Sequence, residues 1–465
     1  MSRELKERLK TVLIIILIIS GLLQVGILWS YQNQGTPFSF LSTLFSKDIQ
    51  VSNEAIREKL FVPDKLVISN GENDYWIIQD GHDHYSKFFN EVIAGLSKIA
   101  TGNLELHASD EKWEDIVTRR GIIVDFGFTL EPDLLGWFLG TGSPVQDIPR
   151  FSKIVVRKDI VREDTGTFYI RGDDGTVYST GQVRYDKAAS LQNVINKLDA
   201  GSKNKYRKFK TLSGSKLTKP GDEPDVLYVV SSPRYWNYRV LSANLPDAAD
   251  DEEMLANAIL GEEEGRYNKY TYNDDMIQYT YGSNIYRYYS DGYLTYRYLG
   301  SADTSGIKAS EALMNAFKFI ARVNELKGSE TDIVLSSVEK KAGGVYEFGF
   351  DYRAFGFTVK TEYETKDSSG RKLEHAIRII ADNRRVLECD WLIRSFKTER
   401  TRNYNDRLLE LLTKENILWH SINITKIDTG YYIRSSKDEI LEPALIITAR
   451  EGFTVYLDMI AEEGD

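Results

Sequence analysis

Residues 11–29, TVLIIILIISGLLQVGILW, carry no charge and only one strongly polar side chain, Gln24. As a helix rising about 1.5 Å per residue this run is about 28 Å long, close to the hydrocarbon thickness of a bilayer. Arg3, Lys6, Arg8 and Lys10 precede it, and Trp29 and Tyr31 end it. Basic residues favour the cytoplasmic side and aromatic rings settle at the interface. The expectation is a cytoplasmic tail over 1–10, a single transmembrane helix over 11–30, and everything further outside the cell. A cleaved signal peptide is the rival reading. It calls for a shorter apolar core and a small-residue cleavage site; Leu28, Trp29, Ser30 and Tyr31 offer none, which favours an uncleaved anchor.

The remainder reads as globular. Hydrophobic residues make up 42% of the chain, enough for sizeable cores, and more than one domain is expected at this length. The net charge of −10 argues against nucleic acid and against anionic polymers held by charge alone. Cys389 is the one cysteine, so no internal disulfide can form; a buried, inert thiol is the expectation. An exported chain without disulfides points to a bacterial outer surface.

A juxtamembrane linker is expected over 31–48. An N-terminal α+β domain follows over 49–224, with strands in KLVISNG and YWIIQD and a helix carrying Tyr85, Phe88, Val92, Leu96 and Ile99 at helical spacing. A central α+β domain over 225–396 opens with the strand DVLYVVSS. The amphipathic run SEALMNAFKFIARVNEL (310–326) then heads a set of strands. A C-terminal helix-plus-sheet domain is expected over 397–465, its helix beginning at NYNDRLLELLTKENI (403–417). Two successive helix-plus-antiparallel-sheet units suggest internal duplication.

Residues 267–298 hold eleven tyrosines that mostly alternate with polar residues, with turn signals at Asn273-Asp274, Gly282-Ser283 and Asp291-Gly292. This predicts a β-meander with tyrosine on one face. Such rings either pack the sheet against a helix or form a binding face, in which Tyr279, Tyr281, Tyr286 and Tyr288 are the candidates.

Catalytic constellations are missing from the sequence. No G-x-S-x-G, H-E-x-x-H or Walker loop occurs. His82 and His84 in DGHDHY lie between a strand and a helix, where polar residues serve as turn and cap. No cofactor, metal site or enzymatic activity is expected.

The chain resembles the YycH family. The N-terminal KTVLIIILIISGLLQVGILWSYQ is similar to the family's opening. PDKLVISNGENDYWI resembles the start of its first outer domain, and NIYRYYSDGYLTYRY its aromatic strand with an Asp-Gly turn. ITKIDTGYYIR followed by LEPALIITAREGFTVYLD resembles a C-terminal unit shared with the partner protein YycI, with Ile424, Ile427, Gly430, Tyr431 and Pro443 in the corresponding places. Ala444 and Leu445 stand where the family often has an aromatic residue. The resemblance implies a single-pass, non-catalytic regulator of a sensor histidine kinase. It would act with a YycI-like co-regulator, largely through transmembrane contacts, to tune cell-wall metabolism.

Leu17, Gly21, Gln24 and Leu28 share one helix face at i, i+4, i+7 and i+11. A glutamine in hydrocarbon seeks a hydrogen-bond partner that a second helix can supply, and Gly21 permits close approach. This face is the candidate partner-binding surface. The alternative function is a cell-surface module holding a glycan or lipid on the tyrosine-rich sheet.

Overall fold

A computed structural model describes residues between 56 and 462, with breaks of which the longest are 209–226, 324–330 and 412–423. The expected transmembrane helix, with Leu17, Gly21, Gln24 and Leu28, lies outside the described residues, as does His82. Among the described residues no helix is long and apolar enough to cross a membrane.

The chain is α+β. Its first part runs β1 (Lys65–Ser69), β2 (Tyr75–Ile78), α1 (Tyr85–Ala100), β3 (His107–Ala108), α2 (Trp113–Ile116), β4 (Gly121–Leu130) and α3 (Pro132–Leu139). It continues with β5 (Phe151–Lys158), β6 (Thr165–Gly172), β7 (Val177–Arg184), α4 (Leu191–Gly201), β8 (Asn204–Lys208) and β9 (Leu227–Ser231). These strands form one sheet in the order β3-β7-β6-β5-β4-β1-β2-β8-β9. Helix α1 buries Tyr85, Phe88, Val92, Leu96 and Ile99 on the sheet, the stripe its spacing dictates. It ends where Gly102 takes a left-handed φ of 71° and donates its N–H to Ile99 O at 3.0 Å. Gly95 lets the helix approach β6: a Cβ there would lie 1.9 Å from the Phe168 ring.

The second part runs β10 (Trp236–Asn244), α5 (Glu252–Leu260), β11 (Asn268–Tyr272), β12 (Met276–Tyr281), β13 (Asn284–Tyr289), β14 (Tyr293–Tyr298) and α6 (Ala309–Val323). Then come β15 (Thr331–Lys340), β16 (Tyr346–Ala354), β17 (Phe357–Thr361), β18 (Ile377–Ala381), β19 (Val386–Leu392) and β20 (Ser395–Asn405). The chain closes with β21 (Ile424–Ile433), β22 (Glu439–Leu441), β23 (Ala444–Ala449), β24 (Thr454–Asp458) and β25 (Ile460–Ala461). A large sheet follows the order β11-β12-β13-β14-β19-β18-β16-β17-β21-β23-β24, with β15 also on β16; a small one runs β22-β10-β20-β25. All these ladders are antiparallel except β17 with β21.

Strands β11 to β14 form the expected meander, with the turns at Gly282-Ser283 and Asp291-Gly292 where expected; Asn273-Asp274 lies outside the described residues. Elsewhere the pairing redraws the expected units. DVLYVVSS supplies β9, which pairs with β8 and so belongs to the first sheet. The helix expected from residue 403 does not begin there: Asn403, Tyr404 and Asn405 are the last residues of β20, held by pairing with Asn237 and Trp236 of β10 and Ile460 and Ala461 of β25. The central and C-terminal helix-plus-sheet units share one continuous sheet.

Specific polar contacts join the parts. Asp133 on α3 accepts from the Ser310 N–H and hydroxyl, each at 3.1 Å, at the start of α6. Lys426 of β21 pairs with Asp64 at 2.6 Å and Asp428 at 3.0 Å, and Lys65 of β1 pairs with Asp428. Lys426 lies on the seam between the first sheet and the C-terminal strands.

Candidate interaction face on the large sheet

Side chains of register partners in a sheet point to the same face, and neighbours along a strand to opposite faces. One face of the large sheet carries the row Tyr279, Tyr286, Tyr296, Cys389, Ile379 and Phe348, one residue from each of six strands. Helix α6 covers this row. Phe319 packs 5.1 Å from Tyr296, and Arg322 donates to the Tyr286 hydroxyl at 3.2 Å. The structure therefore places Tyr279, Tyr286 and Tyr288 in the interior and leaves Tyr281 half-buried. Cys389 is fully buried; burial first, and then the Asp390 carboxylate, push its thiol well above its usual 9.0.

The opposite face is built differently. Its row reads Tyr270, Gln278, Arg287, Thr295, Asp390, Arg378, Gly349 and Ser337 across eight strands. The strands that make it look apolar, as in VLECDWL and IRIIA, but charged residues hold the alternate positions. At its centre Asp390, fully buried, gathers three arginines. Arg297 donates at 2.9 Å, Arg378 at 3.1 Å, and Arg371, from the connection between β17 and β18, to the same carboxylate. The Tyr293 hydroxyl also donates to Asp390, at 3.1 Å. Arg378 reaches Glu388 as well, at 3.2 Å, and pairs with Glu347. Burial disfavours the charge on Arg297, yet Asp390 and then Glu388 outweigh it and raise its pKa.

Beside this cluster sits a second buried carboxylate. Asp351 pairs with Lys360 of β17 and lies 3.2 Å from Nδ1 of His375. An ionised carboxylate only accepts, so Nδ1 carries the hydrogen. Burial alone would raise the Asp351 carboxyl; Lys360 and then His375 reverse this and hold it below the usual carboxylate range. The imidazole lies over Gly349, where a Cβ would be 2.2 Å from its Cδ2 and 2.3 Å from Ser337 Oγ.

The face opens toward β11. Tyr270 and Tyr272, two residues apart on this edge strand, are each 48% exposed. Arg287, in the same row two strands in from Tyr270, donates from Nε to Gln278 Oε1 at 2.9 Å. A reading of single strands missed this cluster because no motif links residues 287, 297, 351, 378 and 390. Charges at every second position inside otherwise apolar strands were the available signal. Among the described residues no three histidine, cysteine, aspartate or glutamate side chains are placed to hold a metal ion.

No family model matches the chain, and no curated protein matches it in sequence. In three dimensions it is similar to the crystal structure of YycH from Bacillus subtilis, with a TM-score of 0.55 and 11% identity, over 86% of this chain and 96% of that one. At this identity the similarity is one of architecture: the chain has a YycH-like fold.

Proposed function

We propose that the chain is a non-catalytic, membrane-anchored regulator of a sensor histidine kinase that controls cell-wall metabolism, its bulk outside the cell. The observation that carries this reading is the YycH-like fold over 86% of the chain, joined to the resemblance of four sequence stretches, the N-terminal span among them. The kinase and a YycI-like co-regulator are its partners, and the Leu17, Gly21, Gln24, Leu28 face is where their transmembrane helices dock. Gln24 contributes about 1 kcal/mol there through an interhelical hydrogen bond.

Deleting the gene in its own host and following phosphorylation of the kinase's response regulator tests the role. A changed phosphorylation level, restored by the full chain, supports regulation; an unchanged level removes it. Gln24→Leu in the full chain tests the helix face separately. Reduced co-purification with the kinase and co-regulator is expected, and unchanged co-purification would assign docking to the outer domains.

A further inference from the structure

We infer that the open face of the large sheet, from Tyr270 and Tyr272 across Gln278 and Arg287 to Arg371, binds a glycan bearing carboxylate or phosphate groups. The inference stands apart from kinase control. It also moves ligand binding away from Tyr279, Tyr286 and Tyr288, which are buried.

Three observations carry it. First, Tyr270 and Tyr272 lie on the same side of β11 and are both half exposed. Two residues along a strand span about 6.8 Å, so the pair offers two ring surfaces along one line. Rings so placed suit the C–H faces of successive sugars. Second, the row from Tyr270 inward starts with hydrogen-bonding rather than apolar side chains: the half-buried Gln278 and Arg287 follow in register. Sugar hydroxyls need such mixed donors and acceptors. Third, Arg287 and Arg371 on this face are each held through one part of the guanidinium, Arg287 by Gln278 and Arg371 by Asp390. Arg371 is 40% exposed while holding the fully buried Asp390, whereas Arg297 is committed to Asp390 and to the Tyr296 and Cys389 carbonyls. A planar guanidinium anchored at one edge keeps other N–H groups for a second oxyanion, which it can take in bidentate fashion. Helix α6 lies on the other face, against Tyr296. An acidic peptide would match the arginines, but its backbone N–H and C=O groups could pair only along the outer edge of β11 and not across the strands toward Arg371.

The test uses the full chain in detergent micelles with three glycan probes: a uronic-acid oligosaccharide, a phosphodiester-linked glycerol-phosphate wall polymer, and neutral N-acetylglucosamine oligomers. Poly-glutamate is the peptide control. Binding of either acidic glycan, with neither the neutral oligomers nor poly-glutamate matching it, is expected; the stronger of the two identifies carboxylate or phosphate as the recognised group. Arg287→Gln and the double variant Tyr270→Ala, Tyr272→Ala should each bind about tenfold more weakly, the equivalent of one modest contact. The double tyrosine variant should melt with the parent chain, since both rings are half exposed. Equal or stronger binding of poly-glutamate, equal binding of the neutral glycan, no binding of any glycan, or unchanged binding by both variants would each overturn the inference.

Discussion

Arg378 of β18 and Asp390 of β19 are register partners, and the guanidinium reaches the carboxylate at 3.1 Å. Asp390 is fully buried, whereas Arg371, which shares it, is 40% exposed. The two members of this network should therefore respond unequally to mutation. Asp390→Asn strips three guanidiniums of their common counter-charge and is expected to cost about 3–5 kcal/mol. Arg371→Gln removes a solvent-screened partner and should cost about 0–1 kcal/mol. Urea unfolding of the two variants gives the comparison, and equal losses would show that the network does not centre on Asp390.

Acid should weaken the fold through Asp351. Its folded pKa is held below the ordinary 3.8. Above that value the group is ionised in both the folded and unfolded chain, and its contribution to stability is complete. As the pH falls below it, the unfolded chain takes up a proton that the folded chain refuses, and the contribution is progressively lost. Asp428, also held low by Lys426 and then Lys65 against its burial, adds a loss of the same sign. Urea midpoints followed from about pH 6 down to about pH 2 should decline, and Asp351→Asn should flatten that decline. A variant that declines as steeply as the parent would assign the acid sensitivity to other carboxylates.

Cys389 should be silent toward thiol reagents in the native state. Its side chain is fully buried beneath α6, and burial raises its thiol well above 9.0; only the thiolate is nucleophilic. Iodoacetamide at mildly alkaline pH should modify the chain in denaturant and leave the folded chain intact. Rapid native labelling would mean that α6 lifts from the sheet.

Gly95 sets the distance between α1 and β6. A Cβ at this position would overlap the Phe168 ring, 1.9 Å from its Cζ. Gly95→Ala should destabilise the chain by about 1–3 kcal/mol through overpacking, despite the better helix propensity of alanine. A raised thermal midpoint would show that Phe168 can swing aside without cost.

The sequence revealed elements whose patterning comes from their own packing. Helix α1 is legible because Tyr85, Phe88, Val92, Leu96 and Ile99 all reach the core. The meander is legible because its turns carry Asp-Gly and Gly-Ser. Strand β20 is not: SFKTERTRNYN has a solvent-exposed middle from Lys397 to Thr401, without alternation, and its conformation is imposed by β10. The tyrosine row was half legible. Period-two spacing put the rings on shared faces, but it could not show that α6 would cover the face bearing Tyr279 and Tyr286 while Tyr270 and Tyr272 turned outward. The charged face was illegible for a different reason. Residues 297, 378 and 390 meet only through the register of separate strands, and one strand says nothing about its neighbour's register.

Strand β10 lies between β20 and β22, both of which follow it by more than a hundred residues in the chain. A chain delivered from its N-terminus across a membrane would present β10 with both edges bare until those later segments arrived. The order of synthesis thus opposes the order of assembly. Synthesis halted before residue 395 would leave an exposed strand with neither neighbour, open to chaperones and to quality-control proteases alike. For this chain, finishing translation is a condition of hiding its own interior strand.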